Sequence, residues 1–355
     1  MGTWEKRKTM LDNGEVVDAI APYIISASRS TDIPAFYMDW FMYRLIRGYS
    51  VWQNPFNKDA NQVVSYANTK YIVFWSKNPA PLLQWLPILR KMKIGVCVQY
   101  TLNNYREEGL EPNVPSVMDR VTTFIQLSKK LGKDNVVWRF DPLVLTATTG
   151  ISDLIEIIGN IGDTIAPYTS KLVFSYADIM AYKKVMLNLM RDGVRYIEWN
   201  NDSMVEFAQK LVELNKAKGW GLRLATCGET ANLAGIEHNK CVDDELIIKE
   251  KYGDKELMDF LGVTVCKKEN TLFGDAKLPE GSISINNTFY YIKSKSVKDG
   301  GQRKACGCMI SKDVGEYNTC AHLCKYCYAN ASADTAVANY VKHLENPFSE
   351  TITGN

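Results

Sequence analysis

Hydrophobic positions along the chain fall into short, almost uninterrupted apolar runs separated by stretches with helical spacing. Runs near 23–28, 49–53, 71–76, 94–101, 135–140, 171–177 and 220–226 read as strands. Their continuous apolarity is that of a parallel sheet buried on both faces. Between them, Val117, Val121, Phe124, Ile125 and Leu131 share one helical face, with Ser116 as cap and Gly132 beyond the end. Met204, Phe207, Ala208, Leu211 and Val212 form a second stripe, capped by Asp202 and closed by Gly219. Pro34 opens a third helix that carries Trp40, Phe41 and Leu45. Repeated strand–helix units with right-handed crossovers give an open sheet or a closed barrel. Seven strands, with one more near the C-terminus, predict an α/β fold of the (β/α) barrel type, complete or partial.

From about residue 228 this alternation stops. A helix is expected over 243–260, then a hairpin of Ser282–Ile285 with Phe289–Ile292, then a polar run from Lys293 to Lys304. The predicted organisation is a barrel core over 1–228, an insertion or lid over 229–305, and a cysteine-rich segment over 306–355 that completes the barrel. Within that last segment Val337, Tyr340, Val341 and Leu344 stand at helical spacing.

Composition changes this picture little. With 46% hydrophobic and 23% charged residues, the 355-residue chain can bury a sizeable core. Forty-two basic and 40 acidic residues give a net charge of +2, so no global field advertises a polyanionic partner, although nucleic acid is not excluded. Neither a signal-peptide stretch nor 18 uninterrupted apolar residues occurs, so a cytoplasmic protein without a membrane partner is expected. A reducing compartment would leave the nine cysteines as thiols for metals, catalysis or packing.

Cys97, Cys227, Cys241 and Cys266 are scattered, whereas Cys306, Cys308, Cys320, Cys324 and Cys327 crowd together. The stretch Cys320-Ala-His-Leu-Cys324-Lys-Tyr326-Cys327 has the form C-x3-C-x2-C. Three thiolates so spaced can hold a [4Fe–4S] cluster and leave one iron without a protein ligand. A structural zinc site is the alternative, for which Cys306-Gly-Cys308 is the other close pair. His322 reads as a supporting group. Cys306 and Cys308, joined by Cys227 and Cys241, would supply the ligands of a second iron–sulfur cluster, or act as a redox pair. Cys97 and Cys266 are assigned to packing.

The spacing, with Tyr326 before the last cysteine, resembles the signature of the radical S-adenosylmethionine (SAM) superfamily. The resemblance implies SAM bound at the open iron, reductive cleavage to a 5′-deoxyadenosyl radical, and an electron donor such as flavodoxin or ferredoxin. In that superfamily the motif follows the first barrel strand and precedes the first helix. Here it lies near the end of the chain, which implies a circular permutation or an appended cluster arm.

Function in α/β barrels collects at the C-terminal ends of strands, and several ends here are polar. They include Ser28-Arg29-Ser30-Thr31-Asp32, Gln53-Asn54-Pro55, Trp75-Ser76-Lys77-Asn78-Pro79, Arg139-Phe140-Asp141-Pro142 and Thr226-Cys227-Gly228-Glu229, with Gln99, Thr101, Ser175 and Asp178 on two more. Candidate catalytic residues are Arg29, Asp32, Lys77, Arg139, Asp141 and Glu229. Candidate cofactor contacts are Asn78, Gln99, Ser175, Tyr326 and Asn330. Arg29, Lys77 and Arg139 suit a carboxylate or phosphate, and Asp141 and Glu229 suit ribose hydroxyls or proton transfer. A structural salt bridge is the other reading of each.

Five stretches also resemble an uncharacterised bacterial family known only as a domain of unknown function. They are Ser28 to Ala35, Asn54 to Asn57, Phe74 to Pro79, Trp138 to Pro142 and Tyr317 to Asn330. A smaller likeness, Cys327-Tyr328-Ala329, points to the spore photoproduct lyase group. Three functions follow: a radical SAM enzyme with an unknown substrate, a metal-binding redox or ligand-binding module, and a nucleic-acid repair or modification enzyme.

Overall fold

A computed structural model describes residues 4–57, 60–271, 274–275, 278–303 and 305–354. Lys304, the end of the predicted polar run, lies outside the described residues. The centre of the molecule is an eight-stranded sheet: β1 (Ile24–Ala27), β2 (Tyr71–Ser76), β3 (Gly95–Thr101), β4 (Val136–Leu143), β5 (Lys171–Tyr176), β6 (Arg223–Thr226), β7 (Glu237–His238) and β8 (Lys312–Asp313). Every neighbouring pair is parallel, and the order is 8-1-2-3-4-5-6-7. Strand succession is therefore that of a barrel, but β7 and β8 remain edges and the ring is not closed.

The alternation of side chains sorts the strands into two cores. Ile25, Ile72, Phe74, Val98, Trp138, Leu172 and Phe174 face outward and pack with the connecting helices. Those helices are α1 (Met38–Arg47), α2 (Leu86–Lys91), α3 (Val117–Leu131), α4 (Ile151–Ile165) and α5 (Asn201–Ala217). Ile24, Tyr71, Val73, Cys97, Val137, Val173 and Ala225 face inward. Their cover is α6 (Asp244–Lys251) and α7 (Lys255–Leu261), through Ile247, Ile248, Leu257 and Met258. A final helix, α8 (Ala333–Glu345), follows the cysteine loop. Among the described residues no helix is long and apolar enough to cross a membrane.

Six of the seven expected strands occupy the parallel sheet. The seventh, Tyr49–Trp52, pairs antiparallel with Gln62–Ser65 in a separate sheet with Lys6–Met10 and Val16–Ile20. Only Gly48, in the left-handed region, separates it from α1, and the nearby run at 62–65 offers a local antiparallel partner. Gln53, Asn54 and Pro55 therefore do not join the rim of the parallel sheet. The helix expected over 243–260 is two, because Asp254 caps a new start through Leu257 N at 3.1 Å. Pro34 belongs to a separate short helix, Ile33–Phe36, ahead of α1. The cap of α5 is Asn200 rather than Asp202: Asn200 Oδ1 accepts from Ser203 N at 2.9 Å, and Ser203 Oγ accepts from Asn200 N at 2.9 Å. On α8 the buried residues are Ala336 and His343, while Val337, Val341 and Leu344 are exposed. Aromatic packing turns that helix, with Tyr340 against Phe36 and His343 against Tyr37. The expected hairpin is present as Ser282–Ser284 paired with Phe289–Lys293.

Candidate functional site

The cysteine loop begins where β8 lies against β1. The Asp313 carboxylate accepts from Ser26 Oγ (3.1 Å), Ser28 Oγ (2.8 Å), the Arg29 N–H (2.8 Å) and the Gly315 N–H (2.9 Å). At Gly315 the two segments touch so closely that an added Cβ would stand 1.8 Å from Ser28 Oγ. Beyond it the loop is pinned along its length. Tyr37 Oη donates to Thr319 O (2.5 Å), Asn330 Nδ2 to Cys320 O (2.8 Å), Asn113 Nδ2 to Ala321 O (2.9 Å) and Tyr328 Oη to Arg29 O (2.9 Å).

A buried histidine–carboxylate hydrogen bond and a buried ion pair support this loop from the ends of β1 and β2. His322 Nε2 stands 2.8 Å from Asp32 Oδ2, which also accepts from Lys77 N at 2.8 Å. Asp32 Oδ1 caps the Ile33–Phe36 helix through Ala35 N at 3.0 Å. Burial opposes the charge on Asp32, but His322 and the other donors hold its carboxyl below the usual range. Both oxygens of this expected catalytic residue are thus engaged, Oδ2 with the loop and the end of β2 and Oδ1 with the helix cap. Lys77 Nζ contacts Glu111 Oε1 at 2.7 Å and Asn103 Oδ1 at 3.2 Å, and lies over the Tyr326 ring at 5.5 Å. Tyr326 Oη donates to the same Glu111 oxygen. Here too burial opposes ionisation, and Lys77 with Arg120 outweighs it, so Glu111 is held low. Tyr326, an expected cofactor contact, is committed to Glu111.

Cys320, Cys324 and Cys327 are half-buried, in no disulfide, and near enough to act electrostatically on one another. Burial pushes all three thiols up. Among the described residues no group of three or more His, Cys, Asp or Glu side chains is already arranged to hold a metal ion. The donor set nevertheless fits an iron–sulfur cluster: three thiols share one tight loop that turns through left-handed residues Asn318 and Leu323. Beside them, Asn330 Oδ1 is a buried acceptor with no partner.

A second polar network lines the inner face of the sheet. Arg139 donates through Nε and Nη2 to Asp141, and through Nη1 to Gln99 Oε1 (3.2 Å) and Cys241 Sγ (3.0 Å). Asp141 also accepts from Ser175 Oγ. Burial raises the Asp141 carboxyl, but Arg139 and Ser175 more than reverse this and hold it low. Arg29 and Arg139 lie near the Trp75 ring, at 5.1 and 5.4 Å from its centroid. Arg29 Nη2 is buried and has no hydrogen-bond partner among the described residues. Cys227, Cys241, Cys306 and Cys308 meet the same face. Cys227 Sγ is 3.4 Å from Cys241 Sγ, and Cys308 Sγ accepts from Cys241 N at 3.2 Å. Hydrogen bonding to Cys308 pulls the Cys306 thiol down to about 7, against burial.

The structure therefore gathers Arg29, Gln99, Arg139, Asp141 and Ser175 in one region, and Lys77 with Tyr326 in another. Glu229 lies outside both, half-buried, with its carboxyl raised by burial and then by Asp178. Asn78 is half-buried at the end of β2, its N–H donating to Ser76 Oγ at 2.9 Å. Sequence reasoning missed Glu111, Asn103, Trp75 and Asp313. Strand parity gives a signal for Trp75, which shares a face with Tyr71 and Val73; Glu111 and Asn103 sit in an irregular loop and give none. A cavity of about 320 Å³, lined by residues including Asp134, Lys171, Arg223, Lys240 and Glu250, opens by the N-terminal ends of β4, β5 and β6, away from the cysteine loop.

No curated protein and no solved structure shows a significant match to the chain. A family does match over residues 24–329, from the start of β1 through all three loop cysteines. The chain belongs to the family described as a domain of unknown function, DUF1848.

Proposed function

We propose that the protein is a radical SAM enzyme whose cluster is held by Cys320, Cys324 and Cys327. The observation that carries this reading is the place of the loop in the sheet. β8 pairs with β1, so counting from β8 the parallel order runs 8-1-2-3-4-5-6-7, and the C-x3-C-x2-C loop follows the first strand of that order and precedes a helix. That is the superfamily's strand–motif–helix arrangement, reached by circular permutation. The partly open ring is compatible with it.

With cluster and SAM bound, the chemistry supplied would be hydrogen abstraction from an unactivated carbon by a 5′-deoxyadenosyl radical. The chain's own residues have simpler tasks. Lys77, Glu111 and Tyr326 fix the loop against the end of β2 by a buried ion pair and a hydrogen bond. His322 and Asp32 fix it to the start of the Ile33–Phe36 helix. Among the described residues Arg29 Nη2 has no partner, so Arg29 can meet a carboxylate or phosphate, whereas Arg139 is spent on Asp141. A radical site must exclude water, and Tyr326 and Cys324 pack against the outer apolar core.

The engagement of Lys77 and Arg139 with carboxylates favours a second reading, a metal-binding module without SAM chemistry. Anaerobic purification followed by metal and sulfide analysis and electron paramagnetic resonance separates the two. About four irons with matching sulfide per chain, and a cluster signal altered by SAM, are expected. A cluster whose signal ignores SAM, or zinc in place of iron on these cysteines, would favour the module, and three cysteines that hold no metal would overturn both.

A further inference from the structure

We infer that Cys227, Cys241, Cys306 and Cys308 form a second metal site, distinct from the Cys320–Cys327 loop, which takes a single tetrahedral divalent ion, zinc by its chemistry, and staples the open seam of the barrel. The four thiols come from three places: the residue after β6, the loop after β7, and the segment leading into β8. These flank the two strands that lack a ladder between them. Among the described residues the backbone bonds that cross there are between loops, Cys241 N to Cys308 Sγ at 3.2 Å and Met309 N to Val242 O at 3.1 Å.

Spacing distinguishes one ion from a [4Fe–4S] cube, and the sulfide assay below distinguishes it from a [2Fe–2S] cluster. Thiolates on one tetrahedral zinc, each about 2.3 Å from the metal, stand about 3.8 Å apart. Cysteines on a [4Fe–4S] cube each bind a different iron and must stand farther apart. Cys227 Sγ and Cys241 Sγ are 3.4 Å apart, and Cys308 is in side-chain contact with both Cys241 and Cys306. The surroundings are those of ligand sulfurs. Cys241 Sγ receives Arg139 Nη1 at 3.0 Å and Asn239 Nδ2 at 3.1 Å, and such N–H···S donors stabilise the deprotonated form a metal needs. All four residues lie on or beside the inner face, where Cys241, Cys306 and Cys308 are buried in one apolar cluster with Ala225 and Val242.

The test uses the full chain with Cys320, Cys324 and Cys327 changed to Ala, so that it is blind to the fate of the proposed SAM site. Elemental analysis should find about one zinc or iron per chain with no acid-labile sulfide. Cobalt(II) added to the metal-stripped protein should develop the visible bands of a tetrahedral thiolate site. Adding Cys306→Ser and Cys308→Ser should abolish both signals and lower the melting temperature, while a folded control, Cys97→Ala, should keep them. Iron with matching sulfide, a Cys227–Cys241 disulfide, or a folded protein that takes up neither zinc nor cobalt would overturn the inference.

Discussion

Replacing Glu111 by Gln removes one charge from a pair that the fold has almost fully dehydrated. The Glu111 side chain is 3% exposed and that of Lys77 is 14% exposed, with 2.7 Å between the charged atoms. Removing one partner of such a pair strands the other in a low-dielectric site and costs roughly 3–5 kcal/mol. Gln keeps an acceptor for Tyr326 Oη, so the lower end, about 3 kcal/mol, is expected. Lys77→Met should cost about as much, because it leaves the Glu111 carboxylate unpaired. The double variant should cost far less than the sum, giving a coupling of about 2–3 kcal/mol. Urea unfolding followed by tryptophan fluorescence would measure all four proteins, the comparison being valid if the denaturant slope is unchanged. Glu111 is held below the usual carboxylate range, so its contribution is present above its unfolded value of about 4.3 and is lost as pH falls through the folded one. The Gln variant should lack that acid limb. Costs that add within about 0.5 kcal/mol would refute the pairing.

Three further outcomes follow from local geometry. Asp12 binds Arg44 at 2.6 Å and Arg47 at 2.7 Å, which outweigh its partial burial and hold its carboxyl down to about 2; stability should fall between about pH 4 and pH 2, and Asp12→Asn should flatten that limb by about 1 kcal/mol, discounted because the carboxylate is 36% exposed. Ser116→Ala removes the acceptor for Asp119 N at 3.2 Å and should lower stability by about 1 kcal/mol in the same urea assay, whereas no change would remove the capping role. Gly315→Ala forces a methyl into Ser28 Oγ where β8 meets β1, and should destabilise by about 1–3 kcal/mol; a neutral result would mean that this junction is looser than its geometry.

How much of this was legible in the sequence depends on the range of the interactions involved. The long inward and outward apolar runs at 71–76, 94–101, 135–140 and 171–177 could be read because each is buried on both faces. Ser116 and Gly132 marked α3 because capping is local. Lys312–Asp313 could not be read as a strand: two charged residues carry no periodicity, and they pair with β1 only because Asp313 meets three serine and backbone donors brought from 284 or more residues away. The same holds for the site. Arg139 and Asp141 share a strand face and were visible as a pair, whereas Glu111 joins Lys77 and Tyr326 only through tertiary folding. Val337, Val341 and Leu344 marked α8 by their spacing, although spacing defines a stripe without saying which stripe is covered, and these three are exposed. Cys227 and Cys241 were joined to Cys306 and Cys308 on chemistry alone, and their proximity is a property of the fold.

The central claim is that the loop of Cys320, Cys324 and Cys327 supports radical cleavage of SAM. It is tested most directly by incubating the anaerobically reconstituted, dithionite-reduced protein with SAM and measuring 5′-deoxyadenosine by liquid chromatography and mass spectrometry. The account predicts that the wild-type chain releases 5′-deoxyadenosine and that Cys324→Ala, folded by circular dichroism, releases none. A fully reconstituted wild-type protein that leaves SAM intact, or a Cys324→Ala variant that cleaves it equally well, would contradict the account.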